Sequence, residues 1–174
     1  MDPLEFAETL KLSINYAIEA HQFNPQKPNN ALRFWDMQTP YAIHPIWCAI
    51  TLLTETKLPD EIRIPGYQAL LWHDILEDTT ISLPDDASDT VKQLVQDMTF
   101  QNFDDEIEHL WEKSDTVKLL KLYDKTSILL DAVWMDKAKW NKHVEHARKL
   151  LDFVMNKYGE LNIVNIARVI CIPK

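Results

Sequence analysis

The sequence predicts an all-α protein, on three observations. Only two glycines occur in 174 residues, with none of the Asn-Gly or Gly-Gly pairs that tight hairpins use. Amphipathic stretches rich in Leu, Ile, Ala, Lys and Glu recur at helical spacing along the chain. The most β-branched segment, "ELNIVNIARVICI", keeps positions 163, 166, 167 and 170 on one helical face and has no evident partner strand. A composition 46% hydrophobic and 10% aromatic suffices for a sizeable core. No repeat, low-complexity tract or linker divides the chain, so a single domain over residues 1–174 is expected.

The elements follow in order. Asp2 before Pro3 reads as an N-cap with proline in the first turn, opening a helix to about His21 on the stripe Leu4, Ala7, Leu10, Ile14, Ala17 and Ile18. Residues 22–40 gather three prolines and no sustained period, a long loop of the kind that carries function or moves. Thr39-Pro40 or His44-Pro45 starts the next helix. Pro59-Asp60 starts another, with Pro65 as a kink or fresh start, and this one carries "ALLWHDILEDTT" at 69–80. Shorter helices are expected around 87–98 and 104–112, a longer one capped by Ser114, another over about 138–157 ending at Gly159, and a final one.

A net charge of -9 argues against a general affinity for nucleic acid or anionic lipid. A small anionic substrate remains compatible, because it needs only local positive charge. No window approaches a membrane span and the N-terminus lacks a signal-peptide pattern. Cys48 and Cys171 lie in apolar runs without metal or disulfide spacing and are expected buried and reduced, with a cytoplasmic location as the default.

The stretch at 69–80 places His73, Asp74, Glu77 and Asp78 in an otherwise apolar segment. Burying such groups is costly unless they are paired or hold a metal. On one continuous helix they fall at about 0°, 100°, 40° and 140°, an arc under half the circumference. An adjacent His-Asp pair offers nitrogen and oxygen to one divalent ion, a donor set suited to manganese, iron or zinc. His44 in "PYAIHP" and Asp124 in "TVKLLKLYDKTSILL" are likewise ionisable groups within apolar sequence.

"YAIHP", "ALLWHDILEDTT" and "VKLLKLYDK", in this order and spacing, resemble the HD-domain metal-dependent phosphohydrolases, most closely the RelA/SpoT-type (p)ppGpp hydrolases and their small single-domain relatives. The likeness spans roughly residues 7–150. It implies an all-α HD bundle of about seven to eight helices. It also implies one divalent metal ion, expected to be manganese, held by His44, His73, Asp74 and Asp124, with Glu77 and Asp78 orienting and deprotonating the attacking water. Dinuclear and diiron HD proteins insert two further histidines before the final aspartate. Here only His109 lies between Asp74 and Asp124, which favours one metal.

The implied substrate is a nucleotide of the (p)ppGpp type, losing its 3′ pyrophosphate. Where the family places an asparagine and a threonine against the nucleotide, this chain has Ile128 and Asp131, and its first loop lacks glycine and is longer. Alignment from either side brings Lys27 or Arg33 to the family's basic position, with Trp35 as a stacking surface or a loop anchor. Lys118, Lys121 and Lys125 share a helical face with Asp124, and Lys121 and Lys125 are assigned to substrate phosphates, the alternative being a solvated face. His143 and His146 are expected on the surface and His21 as a capping or core residue. The rival readings are an HD phosphohydrolase for another nucleotide or phosphoester, and a catalytically idle nucleotide-sensing domain.

Overall fold

The computed structural model describes residues 2–171. Its helices are α1 (Pro3–Phe23), α2 (Ile43–Leu53), α3 (Asp60–Trp72), α4 (Ile75–Asp78), α5 (Asp89–Met98), α6 (Phe103–His109), α7 (Asp115–Leu130), α8 (Lys137–Tyr158) and α9 (Asn162–Ile170). Short 3₁₀ turns lie at Pro28–Ala31, Leu110–Glu112 and Ala132–Trp134. Among the described residues there are no strands beyond two isolated bridges, Pro25 with Thr79 and Leu32 with Pro40. No helix among them is long and apolar enough to cross a membrane.

The helix starts follow the capping signals. Asp2 accepts a hydrogen bond from Leu4 N–H, Ser88 from Val91 N–H, Ser114 from Val117 N–H and Asp136 from Lys139 N–H. Gly159 ends α8 at φ 79°, a conformation that costs glycine little. The first turns of α1 overhang: Leu4 is exposed, and the buried face runs through Ser13, Ala17, Ala20 and His21. Pro65 lies inside α3 and does not start it, because Asp60 and Glu61 already form its first turn.

Among the described residues the α-helices number nine, because the expected acid-bearing helix is broken in two. α3 ends at Trp72, His73 and Asp74 form a turn with helical backbone angles, and α4 continues for a single turn. The four ionisable groups are therefore presented by a turn and a short helix, and the arc calculated for one continuous helix does not apply.

α7 is the central element, packed against α2, α3, α5, α8 and α9. Leu119, Leu120, Leu122 and Leu129 bury there in the expected way, and the same helix also buries Lys121, Asp124, Lys125 and Ser127. Gly66 allows α2, α3 and α7 to approach closely. A Cβ at that position would lie 2.8 Å from a Leu52 methyl carbon and 3.2 Å from one of Leu120. Both cysteines are buried and unbridged.

α9 has no side-chain cap of its own. A remote carboxylate serves instead: buried Glu55 accepts hydrogen bonds from Ile163 N–H (2.9 Å), Asn162 N–H (2.9 Å) and the Tyr123 hydroxyl (3.1 Å). Glu55→Ala strips two buried donors and one partly buried donor of their acceptor. At a discounted total of about 3 kcal/mol, the melting temperature should fall by roughly 6–12 °C. A thermal melt followed by circular dichroism checks this, and an unchanged midpoint would refute the capping role.

Candidate metal centre and substrate cleft

Three elements deliver the site. α2 supplies His44 from its first turn, the α3–α4 turn supplies His73 and Asp74, and α7 supplies Asp124. All four are buried. The two imidazoles meet through Nε2, 3.2 Å apart. Asp74 spans both, with Oδ1 3.1 Å from His73 Nε2 and Oδ2 3.4 Å from His44 Nε2. Asp124 Oδ1 lies 3.5 Å from His44 Nε2 and 3.8 Å from His73 Nε2.

The opposite ring nitrogens are engaged elsewhere. His73 Nδ1 lies 2.7 Å from the Leu70 carbonyl, which can only accept, so Nδ1 carries a proton and Nε2 is the nitrogen left to face inward as a ligand once its own proton is displaced. His44 Nδ1 pairs with the Ser127 hydroxyl at 2.8 Å. Two inward nitrogens with carboxylate oxygens beside them form a convergent donor set that a divalent cation fits. His44, His73 and Asp124 each place a ligand atom within 4.8 Å of the others, and Asp74 lies against both histidines.

Electrostatics within the centre are steep. Burial opposes charge on His73, but Asp74 and Asp124 raise it to about 9. Burial likewise opposes ionisation of Asp124, yet Lys125 and Lys121 hold its carboxyl well below the usual range. The Tyr41 hydroxyl donates to Asp74 Oδ2 at 2.7 Å.

Glu77 and Asp78 sit beside this centre on α4. Glu77 accepts the Phe100 N–H at 3.0 Å, and burial, with some repulsion from Asp74, raises its pKa. Asp78 is pushed up to about 7 by burial and by the charges of Asp74 and Glu77. The 24–42 loop is tied to this segment. Gln26 N–H donates to the Asp78 carbonyl (2.8 Å), Thr80 N–H to the Asn24 carbonyl (2.9 Å), and the Asn30 amide to Asp78 Oδ1 (2.9 Å).

A cleft of about 270 Å³ opens beside the acids. Its wall includes Glu77, Glu106, Arg33, Lys125, Lys139, Ile128 and a set of rings: Phe34, Tyr41, Phe100, Phe103, Trp134 and His143. Of the basic residues assigned to substrate, Arg33 and Lys125 reach this wall. Lys27 is exposed at the start of the Pro28–Ala31 turn and does not line the cleft. Lys121 is buried beneath it, so the solvated-face alternative for Lys121 and Lys125 does not hold. Trp35 is about half exposed and does not line the cleft either.

Several residues here escaped the sequence reading. Glu106 is buried and binds Lys125 (2.7 Å) and Lys121 (3.0 Å) through Oε2, and His146 Nε2 (3.0 Å) through Oε1. It sits among Asp104, Asp105 and Glu108 and looked like one more surface acid, though it shares a helical face with Phe103 and Leu110. His143 and His146 are buried, against expectation. His143 stacks on Phe103 at 3.9 Å, and both histidines are in phase with Ala147, Leu150 and Val154. His21 is a core residue stacked near Tyr41 at 4.7 Å, where burial lowers it to about 4. His109 lies away from the centre, paired to Asp105.

No family model matches the sequence, and no curated protein matches it. Among solved structures, a metazoan ortholog of SpoT, reported to hydrolyse ppGpp and to play a role in starvation responses, superposes with a TM-score of 0.67 at 24% identity, covering 98% of this chain and 95% of that one. The protein therefore has the all-α fold of this SpoT ortholog along almost its entire length.

Proposed function

We propose that the protein is a metal-dependent phosphohydrolase acting on a nucleotide, with removal of a 3′ pyrophosphate from a (p)ppGpp-type alarmone as its first-choice reaction. The observation that carries this reading is the buried meeting of His44 and His73 through Nε2 at 3.2 Å, flanked by Asp74 and Asp124. Tyr41, which donates to Asp74, and Lys125, which pairs with Asp124, line the ring-bearing cleft together with Glu77. His44, His73, Asp74 and Asp124 would hold the ion, with manganese as the expected occupant. When bound, a divalent ion supplies Lewis acidity toward a phosphoryl oxygen and lowers the pKa of water from ~15.7 toward 7.

The remaining chemistry belongs to the chain. Phe100 N–H fixes one Glu77 oxygen, so the carboxylate has a defined place at the cleft wall from which to orient water and accept its proton. Asp78, near 7 and held by Asn30, can pass that proton on around neutral pH. The aromatic rings can stack on a base and exclude water from it.

A second reading, hydrolysis of another nucleotide or phosphoester, is favoured by one observation. Ile128 presents an apolar side chain to the cleft at a position where the resembled family places an asparagine.

The test is phosphate and pyrophosphate release by metal-stripped protein reloaded with Mn²⁺, against ppGpp, ppApp and simple nucleotides. Manganese-dependent release should fall about 10²- to 10⁴-fold in Glu77→Ala, with the metal still bound at wild-type stoichiometry. Turnover by the stripped protein, or an undiminished Glu77→Ala rate, would overturn the mechanism.

A further inference from the structure

Arg33 enters the cleft wall from the 24–42 loop with the Nε–Nη2 edge of its guanidinium already engaged. Nε donates to Asp131 Oδ2 and Nη2 to Asp131 Oδ1, each at 2.7 Å, across 98 positions of sequence. The Arg33 side chain is 9% exposed and that of Asp131 23%, and the guanidinium carbon lies 5.3 Å from the Tyr41 ring centroid. Planarity, bidentate contact and partial burial make this the strong form of an ion pair. Lys125, a second cation of the wall, is committed to Glu106 and Asp124. Lys139 lies 4.2 Å from the Trp134 ring centroid and, among the described residues, has no carboxylate within ion-pair distance. Two of the three wall cations are thus neutralised from within.

We infer that Asp131 is a specificity-determining residue: it occupies Arg33 and thereby biases the cleft toward nucleotides phosphorylated at one position over those bearing a second phosphate arm. This rests on the nucleotide phosphohydrolase reading and, because a (p)ppGpp-type alarmone carries two phosphate arms, favours the second of its two substrate classes over the first. A second phosphate arm would meet a guanidinium whose Nε–Nη2 fork is taken and whose charge is already offset, with the Asp131 carboxylate beside it to repel a further anion, so that it gains little.

The test is equilibrium binding, by titration calorimetry in a Glu77→Ala background loaded with Mn²⁺, of guanosine and adenosine 3′-monophosphates and their 3′,5′-bisphosphates. With Asp131 intact, each bisphosphate should bind within about threefold of its monophosphate. Asp131→Asn should tighten the bisphosphate about tenfold relative to the monophosphate, the size of a charge-assisted hydrogen bond, and adding Arg33→Gln should erase the gain. Asp131→Ser provides the same readout should Asp131→Asn fold poorly. An unchanged ratio, a gain that survives Arg33→Gln, an intact protein already favouring the bisphosphate tenfold, or no binding of either ligand by any variant overturns the inference. The two readings fail separately. A shifted ratio in a chain whose native Glu77 form has no turnover supports the selectivity and sinks the hydrolase, and turnover with an unshifted ratio does the reverse.

Discussion

On the proposed reading, Asp74→Ala should leave the protein folded but unable to take up a metal, with bound manganese after reloading falling from about one equivalent to none and the proposed turnover falling at least about 100-fold. Asp74 reaches the two histidines with different oxygens, one 3.1 Å from His73 and the other 3.4 Å from His44. Its removal takes away both a donor and the negative charge that offsets a divalent cation in a buried site. The fold has less to lose. Asp74 sits in the turn after α3, and its backbone carbonyl, which accepts from Asp78 N–H at 2.8 Å, is unaffected by truncation. Elemental analysis of the reloaded variant, beside a thermal melt, separates metal loss from unfolding. Tyr41→Phe is the matched control: it deletes only the 2.7 Å hydrogen bond that steadies Asp74, so it should retain manganese and lose less activity. An Asp74→Ala protein that keeps its manganese and its turnover would remove Asp74 from the site.

What the sequence made legible was whatever depends on local pattern. Asp2 and Ser114 cap their helices because a short polar side chain beside an amphipathic run has few other roles. His44, His73, Asp74 and Asp124 were visible because each interrupts apolar sequence, and such interruptions need compensation. The break at His73-Asp74 was not visible. Its backbone stays helical in φ and ψ, and no glycine or proline marks it. Glu106, Asp131 and Glu55 were invisible for a different reason. Each acquires its role from partners far along the chain, Glu106 from Lys121 and Lys125, Asp131 from Arg33, and Glu55 from the start of α9. Arg33 was singled out by alignment as a substrate ligand, yet alignment carries no information about which carboxylate folds onto it.

Glu106→Ala should be the most destabilising single change in the centre. Glu106 and Asp124 face Lys121 and Lys125 in a buried, charge-balanced cluster, with Lys121 3.0 Å from both acids and Lys125 2.7 Å from Glu106 and 3.1 Å from Asp124. Removing Glu106 leaves two buried ammonium groups sharing one carboxylate whose other oxygen is turned toward His44 and His73. Breaking such a pair costs about 3–5 kcal/mol, a large share of a typical domain stability of about 5–15 kcal/mol. The melting temperature should drop by roughly 6–20 °C. Glu106→Gln, which keeps the shape and one good acceptor, should lose less, and adding Lys125→Met to Glu106→Ala should recover part of the loss by restoring charge balance. Acid provides an independent check. Burial opposes ionisation of Glu106, but Lys121 and Lys125 outweigh it and hold the carboxyl well below the usual range. A depressed folded pKa means that the stabilisation is complete above the unfolded value of about 4.3 and drains away as the pH falls below it. Between about pH 4.5 and 3 the wild type should therefore lose melting temperature more steeply than Glu106→Gln, which has no such proton to take up. Parallel slopes in that window, with a melting temperature for Glu106→Ala equal to the wild type at neutral pH, would mean that the four-charge cluster contributes nothing to holding α6 against α7.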